Sequence, residues 1–381
     1  MNKIKTVMFV AGDPSGDIHA APVINELHAI KPDLECWGIG GPKMVAQGFN
    51  QLMPFEPFNK MGFAEVIKHL GFFLDAKKKL INEMSVRKPS CLVCVDYPGL
   101  NMPLMKAAKK HGIPVVWYIA PMVWAWKKKR AKVMGEYADF IGCIFPFEPS
   151  HFLPYTDKVA FIGNPTVQSM EDQSENKWEV GSGKWEARKL LSIAIVPGSR
   201  LQEITRMLRP MLDAYMILKK KYPELRAEVS VFKSIDSQEF DIIKEYPGVT
   251  VTSDPLGSIL SRSTCAIVKS GTSTLETALA CVPMVIAYKT STLTYALAKR
   301  LVKLSWIGLP NIIANASIVP ECIQDSMNAE KMADECRKFL IDNNYYKQTV
   351  DALQKIRGIL GAKKPSTELA KKIADIIQLS G

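Results

Sequence analysis

The sequence predicts two doubly wound, Rossmann-like α/β domains facing each other across a cleft. Three observations carry that expectation. Short apolar strands alternate with amphipathic helices through residues 5–162, a polar Gly/Ser-bearing stretch interrupts them at 169–188, and the alternation then restarts at "LLSIAIVPGSR". Such alternation builds a parallel sheet covered by helices on both faces. At 381 residues the chain also exceeds one ordinary core, so two domains are expected.

In order along the chain, strands are expected at 5–11, 34–39, 90–96, 114–119, 140–144 and 159–162, with helices such as 18–30 and 101–111 between them. After the restart, Ile204, Met207, Leu208, Met211, Tyr215 and Leu218 recur with a helical period. Strands follow at 227–232, 249–252, 264–269 and 283–288, and helices at 255–262, 273–281 and 291–304. From about residue 326 the pattern is helical and strandless. The expected boundaries are 1–168, 189–345 and a helical tail at 346–381. That tail either packs back on the first domain or exchanges between the subunits of a homodimer, and the oligomeric state stays open.

Composition narrows the function. A hydrophobic content of 47% and a charged content of 23% fit a folded chain. The net charge of +11 favours acidic partners: nucleic acid, anionic lipid or phosphorylated substrates. No apolar run approaches the ~18–20 residues of a membrane-spanning helix. The opening "MNKIKTVMFVAGD" reads as a core strand, because its apolar part ends at Asp13, short of a signal-peptide core. The eight cysteines are scattered, and the Cys91/Cys94 pair lies inside an expected strand. Redox motifs sit at helix starts, so a structural role is expected, and no metal-ligand spacing appears.

Ligands of doubly wound sheets bind where strands end and helices begin. Four such loops stand out. The first, "AGDPSGDIHAA", has Gly12 and Gly16 for tight backbone and Ser15 or Asp17 as a helix cap. A helix start there attracts phosphate, whereas a plain capped turn accounts for one aspartate but not two. His19 follows it and is the one histidine worth testing. The second, "VCVDYPGLN", sets Asp96 at the end of a buried strand. Partial desolvation raises a carboxylate's pKa and suits a general base, while the plain alternative is a cap for the helix near Asn101.

The third loop, "VPGSR", offers the backbone of Gly198 and Ser199 and a phosphate clamp from Arg200, with Glu203 just beyond. The fourth, "VKSGTSTLETAL", places Ser270, Gly271 and Thr272 between strand and helix, with Glu276 one turn in, in reach of ribose hydroxyls. Two anion-binding loops and a carboxylate in one domain point to a nucleoside diphosphate.

Three segments pair aromatic with basic residues. Phe63, Phe72 and Phe73 precede Lys77–Lys79; Trp124 and Trp126 adjoin Lys127 and Lys128; and 295–306 repeats the pattern. Apolar groups beside cations suit an anionic lipid surface. Each segment alone also reads as core aromatics beside solvated lysines. No nucleic-acid-binding module is recognised, so nucleic acid is not expected as a partner.

Taken together, "AGDPSGDIHA", "GIGGPKM", "MGFAEVI", "VDYPGLN", "WYIAPMVWAWKKKR", "FPFEPSHF", "FIGNP", "VPGSRLQEI", "SGTSTLETAL", "LAKRLVKLSWIGLPNIIAN" and "ECIQD" resemble the lipid-A-disaccharide synthases, bacterial glycosyltransferases of GT-B fold. The resemblance covers essentially the whole chain. It implies transfer of the acylated sugar of UDP-2,3-diacylglucosamine to the 6-hydroxyl of 2,3-diacylglucosamine 1-phosphate, giving a β-1,6 disaccharide and UDP with inversion. It implies no metal, no cofactor, and a cytoplasmic enzyme held peripherally at the anionic inner membrane. Asp96 matches the family's general base. Asn311 matches a donor-site position, and with this reaction Ser199, Arg200, Glu203, Ser270, Gly271, Thr272 and Glu276 are expected to bind the UDP of the donor, with Ser15, Gly16 and Asp17 facing the donor from the other domain. Three positions depart from the family pattern: Asp13 where Glu is usual, Gly99 where many members have Asp, and Asn164 where His is usual. The rival readings are another GT-B enzyme using UDP-N-acetylglucosamine, such as the peptidoglycan transferase or the 2-epimerase, and a non-catalytic lipid or nucleotide-sugar binding protein.

Overall fold

The computed structural model describes residues 5–59, 70–126, 128–172, 191–231, 237–301 and 304–378. The chain divides into two units: Met1–Gln168 together with Leu360–Gly381, and Ser169–Ile359.

Among the described residues the first unit holds seven strands: β1 (Thr6–Ala11), β2 (Glu35–Gly40), β3 (Asn50–Pro54), β4 (Cys91–Val95), β5 (Val115–Tyr118), β6 (Phe140–Cys143) and β7 (Val159–Phe161). Their spatial order is β3-β2-β1-β4-β5-β6-β7, every pairing parallel. The central strands "TVMFVA", "CLVCV" and "VVWY" are unbroken apolar runs because helices cover both faces. Along β1, Val7 and Phe9 pack on one side while Met8 and Val10 pack on the other. Strand β3, "NQLMP", was not expected from the sequence; it is a half-exposed edge, so its composition stays polar.

A helix from the far end of the chain completes this unit. Pro365–Ile376 lies on the Pro14–Ile30 helix, burying Leu369, Ala370 and Ile373 beside Val23, Ile24 and Leu27. Lys5 Nζ donates to the carbonyls of Ile377 and Gln378, each at 2.6 Å, which closes the end of the helix.

The second unit holds β8 (Ser192–Val196), β9 (Arg226–Ser230), β10 (Val249–Thr252), β11 (Cys265–Lys269), β12 (Met284–Tyr288) and β13 (Glu321–Ile323). The order is β10-β9-β8-β11-β12-β13, again parallel. The Leu201–Lys221 helix buries all six residues of the expected apolar face. Helices Ala329–Ile341 and Asn343–Leu360 close the core through Cys336, Phe339, Tyr346, Val350 and Leu353. The helical tail is therefore divided between the two units. All eight cysteines are buried free thiols.

In both sheets the strand order reverses at one place, β1/β4 in the first and β8/β11 in the second. That reversal opens a crevice at the strands' carboxyl ends, where such sheets take ligands. The four loops singled out in the sequence are the four that follow these strands.

Candidate active site

In the first unit, Asp96 follows β4 with its backbone in the left-handed region (φ 41°), and Tyr97 repeats it (φ 44°). Two consecutive non-glycine residues in that conformation cost about 1–3 kcal/mol each, a strain that collects at functional sites. The Tyr97 ring lies over the end of β1, where a Cβ on Gly12 would come within 2.7 Å of it, and its hydroxyl donates to the Phe58 carbonyl at 2.9 Å. Burial raises the Asp96 carboxyl to about 6, with the Asp13 carboxylate pushing the same way and Arg130 opposing. Arg130 also stands over the Trp126 ring at 5.6 Å.

A second buried carboxylate went unnoticed in the sequence. Glu148 is 1% exposed, accepts from the amides of Ile144 and Phe145 at 2.9 and 3.0 Å, and takes the Trp124 indole N–H at 3.2 Å. Burial raises it to about 7, and the charge of Asp96 adds to the rise. Its signal was the Glu of "FPFEPSHF", an acidic residue inside an otherwise apolar aromatic run.

The opening turn corrects the sequence reading. Asp13, not Ser15 or Asp17, is the N-cap of the Pro14–Ile30 helix, accepting from the Gly16 amide at 2.7 Å and the Ser15 hydroxyl at 3.1 Å. Asp17 is buried, and its carboxylate takes the amides of Gly41, Lys43 and Met44 at 2.9, 3.0 and 2.9 Å. It fastens "GGPKM" to the helix, while the Asp13 carboxylate caps the helix start beside Ser15 and Gly16. Asp17→Ala would strand those three amides. The expected loss is about 2–4 kcal/mol of stability with UDP affinity unchanged, measured by denaturant unfolding and calorimetry. His19, beside this turn, is lowered to about 4 by burial, against the pull of Asp13, so it is neutral at physiological pH.

Asn164 is fully buried, donating to the Ile144 carbonyl at 3.1 Å and accepting from the Thr166 amide at 2.9 Å. An amide satisfies both needs, and neither involves proton transfer. A Cβ at Gly99 would meet nothing within 4 Å, so the position is open space and no packing demands glycine there.

The aromatic segments also need correction. Trp124, expected at the surface, is 7% exposed and packs edge-on against Phe147. Phe72 and Phe73 are partly buried against Phe58. Trp126 and Met122 are 42% and 49% exposed, and Lys128 is exposed beside them. Phe63 and Lys127 lie outside the described residues.

In the second unit the electrostatics are reversed. Arg200 stands at the N-cap of the Leu201–Lys221 helix with no side-chain cap, and its own side chain is 82% exposed. Glu203 pairs with Lys269 at 2.8 Å and bends over the "PGSR" turn. Gly198 has φ 116°, and a Cβ there would lie 2.6 Å from a Glu203 oxygen, so the turn requires glycine. Ser199 is exposed at the mouth of this turn. Gly271 heads the Thr272–Leu279 helix, again without a side-chain cap, which leaves the first amides directed at the crevice. Ser270 instead donates its hydroxyl to the Ile307 carbonyl at 3.0 Å. Glu276 is partly buried and its pKa is raised by desolvation.

Asn311 is fully buried with both ends of its amide engaged: it donates to the Val319 carbonyl and to Glu321, and accepts from the Ile318 and Val319 amides. Glu321 in turn takes the Ile307 and Gly308 amides, each at 3.0 Å. Asn311 thus supports the loop that Ser270 touches. An open cavity of about 410 Å³ lies beside these elements, lined by Arg200, Glu203, Arg206, Met207, Tyr288 and Lys289. Gln324 of "ECIQD" holds its far wall by accepting from the Thr290 amide at 2.8 Å.

Each crevice has a distinct chemical character. Among the described residues, the first gathers Asp13, Asp96 and buried Glu148 against the single cation Arg130. The second has two helix starts without side-chain caps, and its cations Arg200, Arg206, Lys269 and Lys289 outnumber Glu203, which pairs with Arg200 and Lys269, and Glu276. Anions favour the second, and proton acceptance favours the first.

Comparison with known proteins agrees over the whole chain. A model of the family described as lipid-A-disaccharide synthetase matches residues 7–377. The lipid-A-disaccharide synthase of Anaeromyxobacter dehalogenans (strain 2CP-C) is 34% identical over 98% of this chain and 97% of its own. Among solved structures, the S. aureus MnaA–UDP co-structure superposes with a TM-score of 0.65 at 14% identity, over 99% of this chain and 98% of that one. The MurG protein of Acinetobacter baumannii gives 0.59 at 17% identity, over 99% and 100%. At those identities the likeness is one of fold.

Proposed function

The chain belongs to the lipid-A-disaccharide synthetase family, which makes it a glycosyltransferase of GT-B fold, and on that premise we propose how its residues divide the reaction. The donor is UDP-2,3-diacylglucosamine and the acceptor 2,3-diacylglucosamine 1-phosphate. Asp96 takes the proton of the acceptor 6-hydroxyl as that oxygen bonds to the donor's anomeric carbon. The bond from that carbon to the β-phosphate oxygen breaks, and its electron pair leaves on UDP. Attack from the face opposite the leaving group inverts the anomeric centre, giving a β-1,6 linkage.

The observation that carries this reading is the opposite chemistry of the two switch points. The charge growing on departing UDP is met by Arg200 and the amides at the start of the Thr272–Leu279 helix, a preorganised set that needs no movement at the moment of reaction. Glu276, one turn in and partly buried, its carboxyl raised by desolvation, takes the ribose hydroxyls. The UDP in the S. aureus co-structure supports a nucleotide at this fold. A net charge of +11 with Trp126, Met122 and Lys128 exposed supports docking on an anionic membrane surface.

A base with a pKa near 6 is inactive when protonated. Turnover is therefore expected to fall tenfold per pH unit below about pH 6 and to level off above it. A pH–rate profile measured with both acylated substrates in detergent checks this. The same assay tests the function. UDP release must require the acylated acceptor; release or epimerisation from UDP-N-acetylglucosamine alone would favour the 2-epimerase reading, and UDP binding without turnover the non-catalytic one.

A further inference from the structure

We propose that Asn101 is a positioning residue for this reaction, holding the exit of β4 in the left-handed turn that presents Asp96. The inference rests on the general-base reading of Asp96 and adds a residue to it. Asn101 is fully buried in the first turn of the Pro98–Lys110 helix. Its Nδ2 lies 2.8 Å from the Asp96 carbonyl and 3.2 Å from those of Val95 and Val10. One side-chain amide thus joins the last turn of β4 to the neighbouring end of β1, where Val10 pairs with Cys94. At this point the two chains part to opposite faces of the sheet, and the strand ladder no longer supplies partners for their carbonyls.

Two further observations separate this from ordinary helix packing. Asp96 and Tyr97 both hold positive φ, a conformation that persists only where surrounding contacts impose it. The contact on the Asp96 carbonyl is the shortest of the three. Meanwhile Asn101 Oδ1 is buried without any partner. A side chain serving stability alone would not leave a buried acceptor unmet, since that costs what the donor side gains. What the residue supplies is a double donor aimed at three carbonyls, which no apolar side chain of its size can replace.

The test compares Asn101→Leu, of similar size without donors, with Asn101→Ser, which keeps one donor. Turnover is expected to fall about 30-fold in the first and about fivefold in the second, on the scale that small misplacements of a reacting group produce. The KM for the nucleotide donor stays within about twofold, because the donor's charge is held by the second unit. The acid limb of the pH–rate profile moves below pH 6 as Asp96 leaves its desolvated seat. The charged and titratable groups around that seat are Asp13 with His19 beside it, Tyr97, Arg130 and Glu148. None is altered by the substitutions.

Wild-type turnover in either folded variant would overturn the proposal. So would a loss of turnover that follows only the folded fraction with the acid limb unmoved. If the leucine variant does not fold, the serine variant decides. Asp96→Asn run alongside keeps the two ideas apart: wild-type turnover in that control rejects the base itself, whereas an inactive control with an unaffected Asn101→Ser rejects only the positioning.

Discussion

Asp96→Asn is expected to lower turnover about 10³-fold and to leave UDP affinity unchanged. The magnitude is that of losing a general base. Asparagine preserves the shape of the side chain and tolerates the left-handed backbone as well as aspartate does, so the turn after β4 survives. It removes a carboxylate from a pocket that already holds Asp13 and Glu148, so thermal stability is expected to hold or rise. Steady-state assays with both substrates, UDP calorimetry and thermal unfolding read these three quantities. Parallel losses in turnover and stability would make Asp96 a structural residue.

Ending the chain at Leu360 is expected to unfold the first unit while the second keeps its structure. The deleted segment carries Leu369, Ile373 and Ile377, all buried against the face of the Pro14–Ile30 helix. At about 1.5–3 kcal/mol per large apolar side chain, its removal costs about 5–9 kcal/mol as an upper estimate. That is comparable to the whole stability of a domain, about 5–15 kcal/mol. The amides and side chains lost also free Lys5, Gln168 and Glu26, which hold the segment from the other side. Turnover should vanish, UDP binding should persist, and the unfolding profile should lose one transition. A truncated chain that melts within a few degrees of the full one would mean the helix is an appendage.

The parallel sheets and the four loops at the switch points were legible because β1, β4, β8 and β11 are largely apolar runs that give way to glycine, aspartate, proline or Ser-Gly. Strands β3 and β13 were not, since short edge strands bury too little to leave a hydrophobic signature. The division of the tail was also invisible: both helices are amphipathic, and nothing local says which core each one covers. Within the candidate site, sequence placed Asp96, Arg200 and the "SGT" helix start where strands end, and they follow β4, β8 and β11 in the fold.

It misjudged side chains whose partners are remote. Asp17 bonds a turn 24 residues away, Asn311 closes on Glu321, and Trp124 turns inward to Glu148. Such pairings depend on the packed fold and not on spacing along an element. The extra aspartate of the opening turn is resolved in the same way: Asp13 caps the helix and Asp17 anchors its neighbour.

The most direct test of the account is the anomeric configuration of the product. Purified protein is supplied with the two acylated glucosamine substrates, and the linkage is read from the anomeric proton coupling of the isolated disaccharide. A single β-1,6 product, formed in step with UDP and absent with Asp96→Asn, is the predicted result. An α-linked product, or equal yield from the Asp96→Asn enzyme, would contradict a one-step displacement driven by Asp96.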